Sequence, residues 1–207
     1  RPGCRHDGGV KPMLATAGEL PRGPAWAFEV KWDGMRLLAE LPGDGSLHLS
    51  SRSGRDVTDT FPELAALPQL GRAAVLDGEV VAFGQDGRPS FARLSERMGA
   101  QPGRAGALAA HGPATFVIFD LLALDGQSLI EAPFRERRAA LEDLALPPGP
   151  FTVPDVFSDG EALLAAVAEQ GLEGVVAKRW DAPYRPGLRS GAWVKRSVRT
   201  GTGAVVS

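Results

Sequence analysis

Short stretches in which apolar and polar residues alternate recur along the chain, many of them bounded by Asp-Gly or Pro-Gly pairs that mark turns. Helical spacing of apolar residues is rarer and predicts helices at residues 91–98 and 135–144. A third helix follows Ser158 and Glu161, whose spacing matches a capping box, and ends at Gly171; Thr60 and Glu63 have the same spacing. The alternating stretches predict strands over residues 25–31, 36–41, 47–51, 73–83, 114–122, 150–156, 174–178 and 192–196.

The order of these elements indicates the fold class. Strands joined by short turns dominate, and the helices are scattered among them, which favours an α+β fold with antiparallel sheets over a doubly wound parallel sheet. Residues 99–114 are rich in Gly, Ala and Pro and predict a mobile surface loop. We expect residues 1–10 to be poorly ordered and residues 11–207 to form one domain.

Composition places the chain among cytoplasmic globular proteins. Its 207 residues are 43% hydrophobic, enough for one sizeable core or two small lobes that share one. Cys4 is the only cysteine, which excludes an intrachain disulfide, and the first thirty residues contain no apolar run suited to export or membrane insertion. The three histidines show no ligand spacing, which argues against a zinc site. We expect a monomer with no membrane partner.

The net charge of -2 conceals an uneven distribution. From Gly171 onward, seven Lys and Arg residues face two acids, so this tail carries +5 and the residues before it carry -7. A local cationic surface suits a polyphosphate or a nucleic-acid backbone. A solvated basic face without any ligand has the same composition, so charge alone leaves both interpretations open.

The stretch FEVKWDGMR, residues 28–36, carries the first candidate chemistry. Strand alternation places Glu29, Lys31 and Asp33 on one face, where we expect the two acids and the lysine to converge. They could be salt-bridging charges on an exposed edge that leads into an Asp33-Gly34 hairpin turn. A nucleophilic role requires other cations, because neighbouring carboxylates keep a lysine protonated. Lys178, Lys195 and a divalent metal are candidates for that offset.

A resemblance to a known family joins these stretches. KWDGMR at 31–36 resembles the KxDGxR signature of the covalent nucleotidyltransferases, which include ATP-dependent DNA ligases, RNA ligases and mRNA capping enzymes. Further signatures follow in order: SRSGRDVTDTFPEL from Ser51, LDGEVVAF from Leu76, FVIFDLLALDG from Phe116, EGVVAKR from Glu173 and SGAWVKR from Ser190. The sequence is most similar to the adenylation domain of bacterial ATP-dependent DNA ligases of the end-joining repair type.

The resemblance implies two antiparallel sheets packed with helices, an ATP cleft between them, and a role for each motif residue. Lys31 would attack the α-phosphorus of ATP, release pyrophosphate and become a lysyl-AMP. Nicked or broken double-stranded DNA would then receive the AMP on a 5′-phosphate. By the same resemblance, Lys178 and Lys195 would bind the α-phosphate, Arg52 would bind a phosphate, and Glu173 would bind Mg²⁺ or Mn²⁺, with Asp33 as a weaker candidate. Arg36 and Glu79 would bind the ribose. The adenine would contact Glu29, Phe119 and Val176.

Each motif residue also has a purely structural interpretation, and the sequence departs from the family pattern. Asp77-Gly78 could be only a bulge, and Phe119 only core. The last signature usually carries a second lysine, where this chain has Ser197; Arg196 or Arg199 are candidate substitutes, with different reach. No oligonucleotide-binding barrel is expected in this sequence, although such a barrel or end-joining repair proteins are expected partners. An RNA ligase, a GTP-using capping enzyme and a non-catalytic adenylate- or DNA-end-binding module stay open as alternatives.

Overall fold

A computed structural model describes residues 10–100 and 103–198 of the chain. Strands and helices alternate irregularly along this part, as the sequence predicts. In order they are β1 (Leu14–Ala17), β2 (Trp26–Lys31), β3 (Met35–Leu41), β4 (His48–Ser51), two 3₁₀ helices (Thr58–Thr60 and Pro62–Leu70), β5 (Ala74–Val81), α1 (Phe91–Met98), α2 (Arg104–His111), β6 (Thr115–Leu124), β7 (Gln127–Ser128), α3 (Phe134–Glu142), β8 (Phe151–Thr152), α4 (Gly160–Glu169), β9 (Gly174–Arg179) and β10 (Arg189–Ser197).

The strands form two sheets. The first sheet has the order β1-β10-β9-β2, and the second has the order β4-β3-β5-β6-β7, with β8 beside β6. Most neighbouring strands are antiparallel, as predicted, but β1 runs parallel to β10 and β8 runs parallel to β6. The strands β1 and β7 are absent from the sequence prediction.

Each sheet buries one face against helices and turns the other toward its partner sheet. On the back of the first sheet, Phe28 and Val175 pack against Leu163 and Val167 of α4. The back of the second sheet packs against the longer 3₁₀ helix, α1 and α3. Between the two sheets lies a smaller cluster of Met13, Leu38, Phe119, Leu122, Tyr184 and Trp193. The space left beside this cluster is the candidate site described below.

The turn after Lys31 connects the two sheets. The strand β2 pairs with β9 in the first sheet, whereas β3 pairs with β4 and β5 in the second. The Asp33-Gly34 turn is therefore not the hairpin that the dipeptide indicates, because its flanking strands do not pair. It places Lys31 at the point where the chain leaves one wall of the cleft for the other.

The capping predictions are corrected in detail. Asp159, not Ser158, caps α4 and accepts hydrogen bonds from the backbone N–H groups of Glu161 (3.1 Å) and Ala162 (3.0 Å). Thr60 makes no side-chain cap, since the residues after it form a 3₁₀ helix that contains Pro68. Glu63 instead accepts from Arg97 at 2.8 and 3.0 Å and ties the 3₁₀ helix to α1.

The prediction of a mobile loop over residues 99–114 is wrong for much of the segment. Residues 104–111 form α2, which packs against the longer 3₁₀ helix. Four of these eight residues are alanine, the strongest helix former, and this outweighs the single Gly106. Residues 101–102 lie outside the described residues, as do residues 1–9 of the predicted disordered terminus.

Candidate active site

A cavity of about 590 Å³ lies between the facing sides of the two sheets. This volume is within the range of small-molecule sites. All nine residues to which the resemblance assigns nucleotide contacts line this single cavity: Glu29, Lys31, Arg36, Arg52, Glu79, Phe119, Val176, Lys178 and Lys195.

Strand register explains how the first sheet supplies its share of the cavity wall. Glu29 pairs with Val176, and Val176 pairs with Lys195, so the three side chains form one row across β2, β9 and β10. Lys178 lies in the next row in one direction, and Lys31 lies in the next row in the other. Because side chains alternate along a strand, all five lie on the same face.

Lys31 forms an ion pair with Glu173, the residue just before β9. The predicted convergence of Glu29 and Asp33 on Lys31 is wrong. Glu29 lies in a neighbouring row and contacts Lys178, while Asp33 is exposed and is not among the residues that line the cavity. The partner of the lysine thus comes from a signature 142 residues away in the chain.

Glu29 and Lys178 form a buried ion pair with Nζ to Oε2 at 2.7 Å. Burial raises the pKa of Glu29, an effect that Lys178 opposes, and burial lowers the pKa of Lys178, which Glu29 opposes. Lys178 also donates to the Phe119 carbonyl at 3.2 Å and lies 4.2 Å from the centre of the Phe119 ring. Lys178 is therefore fixed on the side of the cavity away from Lys31.

On the second sheet, Arg36 forms two hydrogen bonds to the buried Asp77, at 2.5 and 2.7 Å, and its guanidinium lies 4.5 Å from the centre of the Phe119 ring. Tyr184 donates to the same carboxylate at 2.6 Å. Burial works against the charged guanidinium, but Asp77 outweighs it and raises the pKa of Arg36. Phe119 is both part of the inter-sheet cluster and exposed to the cavity, so its two interpretations are compatible.

Glu79 lies beside Arg36 in the register of β3 and β5. Burial raises the pKa of Glu79 to about 7, against the opposing charges of Arg36 and Lys31. From about pH 4.5 to about pH 7 the unfolded chain ionises this carboxyl while the folded chain does not, so rising pH destabilises the fold in that window. We expect wild type to lose roughly 3 kcal/mol relative to Glu79→Gln across it, measured by urea unfolding at pH 4, 5, 6, 7 and 8. Parallel curves for the two proteins would contradict the prediction.

Gly34 makes the closest backbone approach in the site. A Cβ at this position would overlap the carbonyl oxygen of Val80 in β5 and meet the Glu79 side chain at 2.9 Å. Since backbone cannot turn aside as a side chain can, we expect Gly34→Ala to cost roughly 1–3 kcal/mol in urea unfolding. Gly106→Ala is the matched control, because its Cβ meets nothing within 4 Å and alanine favours the helix. Equal stability of Gly34→Ala and wild type would rule out this clash.

The cations of the basic tail separate onto two sides. Lys178, Arg189 and Lys195 line the cavity, whereas Arg196 lies on the other face of β10 and pairs with Glu19 at 2.8 Å and Glu161 at 3.2 Å. Arg196 therefore cannot substitute for the missing second lysine, because alternation directs it away from the cavity. Arg199 lies outside the described residues. The register places Ser197 in the row of Lys31.

Several supporting residues are absent from the sequence prediction. Asp77 holds Arg36 and accepts a hydrogen bond from Tyr184, and Nη1 of Arg138 in α3 lies 3.5 Å from Glu29. Signals for two of them exist: Asp77 alternates with Glu79 in β5, and Arg138 belongs to a buried helical stripe with Phe134, Arg137 and Leu141. An arginine within an apolar stripe is unusual enough to predict a buried partner.

Comparison with known proteins identifies the family. Residues 12–196 match the family model described as the ATP dependent DNA ligase domain. The chain belongs to this family. It is 41% identical over 192 residues to the multifunctional non-homologous end joining protein LigD of Mycolicibacterium smegmatis, covering 90% of this chain and 24% of that protein. It is also 41% identical over 201 residues to a probable DNA ligase of Streptomyces avermitilis, with 90% and 38% covered.

Solved structures of this ligase family confirm the fold. The ligase domain of Mycobacterium tuberculosis LigD aligns with a TM-score of 0.77 at 40% identity, over 91% of this chain and 59% of that one. A mycobacterial DNA ligase D complexed with ATP and MES aligns with a TM-score of 0.76 at 41% identity, over 90% and 59%. The chain thus spans about a quarter of the LigD protein and somewhat over half of these ligase-domain structures.

Proposed function

We propose that this domain transfers AMP from ATP to its own Lys31 and then donates it to the 5′-phosphate of nicked or broken DNA. The observation that carries the proposal is the convergence of the nine motif residues on one cavity, with Lys31 at the strand end and Glu173 against it. Membership in the ATP-dependent DNA ligase family supports ATP as the donor, and the similarity to a non-homologous end joining protein supports DNA end joining as the setting.

The chemistry follows from the residues. The Lys31 amine, after loss of a proton, attacks the α-phosphorus; an N–P bond forms, the bond to the bridging oxygen breaks, and pyrophosphate leaves. Lys195, in the row next to Lys31, offers a cation for the α-phosphate oxygens. Glu29 and Val176 would contact the adenine, Phe119 would stack on it, and Arg36 and Glu79 would bind the ribose hydroxyls. Lys178 pairs with Glu29 and lies on the side of the cavity away from Lys31, so it fits the adenine end better than the expected α-phosphate role. Arg52, exposed at the mouth of the cavity, is proposed as the second phosphate-binding cation.

The donor set fits a magnesium or manganese ion that the nucleotide helps to hold. Within residues 10–100 and 103–198 no three His, Cys, Asp or Glu side chains are grouped as a metal site. Mg²⁺ in nucleotide enzymes is usually held by one or two carboxylates together with substrate phosphates, which Glu173, with exposed Asp33 as the weaker candidate, could satisfy. Such an ion supplies neutralisation of phosphate charge. Glu173 would hold it in exchange for Lys31.

The setting of the domain is proposed on the same basis. None of the described helices has the length and apolarity needed to cross a membrane. We propose that the domain works in the cytoplasm as a monomer on double-stranded DNA, together with an oligonucleotide-binding barrel or end-joining repair proteins.

The deciding experiment is covalent labelling. The protein is incubated with α-labelled ATP and either Mg²⁺ or Mn²⁺, and the adduct is mapped by mass spectrometry. We expect one AMP per chain, attached to Lys31, removed on addition of pyrophosphate, and not formed from GTP. Tight ATP binding without any adduct under either metal would favour a binding module instead, and an adduct formed from GTP would favour a capping-type enzyme.

A further inference from the structure

The helix α3 contributes a residue that contacts the cavity wall without lining the cavity. Arg138 on this helix is 5% exposed and does not line the cavity, yet its Nη1 lies 3.5 Å from Oε1 of Glu29. Glu29, 3% exposed, is the carboxylate in the cavity wall between the rows of Lys31 and Lys178. Arg138 can therefore influence the site only through its contact with Glu29.

The Arg138 guanidinium is held at two further points. Its Nη2 donates to the Pro154 carbonyl at 2.5 Å, and its Nε donates to Glu142 at 2.5 Å, one helical turn along α3. Because the guanidinium is planar and two of its nitrogens are fixed, the position of the third nitrogen is fixed as well. That third nitrogen, Nη1, lies 3.5 Å from Oε1 of Glu29, an ion-pair distance.

One carboxylate oxygen of Glu29 has a partner, and the other has none among the described residues. Oε2 accepts from Lys178 at 2.7 Å, while Oε1 and Arg138 Nη1 make no hydrogen bond to any described residue. A buried carboxylate oxygen without a donor is costly, which makes it a candidate for a bond that only a ligand completes. The 6-amino group of adenine is a donor of the right kind, and guanine has an acceptor at the same place.

We propose that Arg138 is a positioning residue for nucleotide selection: it holds the Glu29 carboxylate so that Oε1 accepts a hydrogen bond from the 6-amino group of ATP. This inference rests on the proposed function, since it requires the purine to occupy the Glu29 end of the cavity. Arg138 contacts no part of the nucleotide itself. Its effect passes entirely through the orientation and charge of Glu29.

The test compares two donors that differ only in the amino group. Lysyl-nucleotide formation is measured with ATP and with purine riboside triphosphate, which lacks the 6-amino group, and the kcat/KM values are expressed as a ratio. A hydrogen bond to a charged acceptor predicts a ratio of about 10- to 100-fold in wild type. In Arg138→Met we expect the ratio to fall toward unity, mainly through a higher KM for ATP. Because both donors meet the same folded fraction, partial unfolding does not alter the ratio.

Matched variants separate the outcomes. Arg135→Met removes an exposed arginine of the same helix and should leave the ratio unchanged. Arg138→Lys keeps a cation near Glu29 and should retain part of the ratio. If the methionine variant forms too little adduct, Arg138→Gln, which also lacks the cation, is judged in its place by the same criterion. A ratio within twofold of wild type in the Arg138 variant used would overturn this inference and leave the proposed function standing. Absence of any adduct in wild type would instead overturn the proposed function.

Discussion

Replacing Lys31 by arginine is expected to abolish adduct formation, with a fall of roughly 10⁴-fold or more in the rate of labelling by α-labelled ATP. Arginine keeps the positive charge and can still pair with Glu173, which contacts Lys31 in the structure. A guanidinium does not give up its proton in proteins, so it cannot attack phosphorus. The substitution therefore removes nucleophilicity and leaves the electrostatics of the cavity nearly intact.

The chain offers a matched control for this prediction. Lys11→Arg makes the same change at an exposed lysine that does not line the cavity, and it should label like wild type. ATP affinity of Lys31→Arg, measured by calorimetry, should change by less than about tenfold, or about 1.4 kcal/mol. Labelling of Lys31→Arg at a rate near wild type would mean that another side chain carries the AMP.

The use of lysine in this protein supports the same conclusion. The chain has only four lysines, against nineteen arginines, and three of the four line the cavity. Surface ion pairs are made by arginine, for example Arg72 with Asp125 and Arg179 with Asp181. A lysine can give up its proton when the surroundings favour it, and it carries a compact charge that suits a single phosphate oxygen. The sequence thus places lysine where these properties are useful and arginine elsewhere.

Short motifs predict the cavity well because they sit on strands. Alternation in 28–33 places Glu29 and Lys31 on one strand face, and the resemblance assigns Val176, Lys178 and Lys195 to the same nucleotide cleft. The register of β2, β9 and β10 places all five side chains on one wall. The strand segments are likewise correct to within a few residues, apart from 150–156, of which only Phe151–Thr152 is strand. Local sequence suffices here because the side-chain period of a strand is fixed at two.

Pairing between side chains could not be predicted in the same way. The partner of Lys31 is Glu173 rather than its neighbours in sequence, and the partner of Glu29 is Lys178. These choices depend on which strands pair, and β2 pairs with β9 rather than with β3, which follows it in the chain. The Asp33-Gly34 dipeptide predicts a hairpin from local turn chemistry, and the sheet topology overrides it. The support from α3 behind the cavity requires the tertiary fold for the same reason.

Replacing Arg137 by methionine is expected to destabilise the fold by about 3–5 kcal/mol. Arg137 and Asp120 are both fully buried and share two hydrogen bonds, at 2.8 and 2.9 Å. Arg137 also donates to the carbonyls of Ala132 and Ala182, at 2.7 and 3.2 Å. The substitution leaves the Asp120 carboxylate buried without its cation and removes two bonds that tie α3 to neighbouring loops. Urea unfolding measures the loss.

Two further variants show whether the unpaired charge causes that loss. Arg72→Met breaks the ion pair between Arg72 and Asp125, two side chains that are each about half exposed. This change should lower the free energy of unfolding by less than about 1 kcal/mol. Asp120→Leu combined with Arg137→Met removes both buried charges and should recover part of the stability lost by Arg137→Met alone. Because Asp120 follows Phe119 in β6, Arg137→Met should also weaken ATP binding. In the double variant we expect ATP affinity to recover less completely than the free energy of unfolding. A loss in Arg137→Met no larger than in Arg72→Met would show that the buried pair contributes little, and that packing of Phe134 and Leu141 alone holds α3 against the sheet.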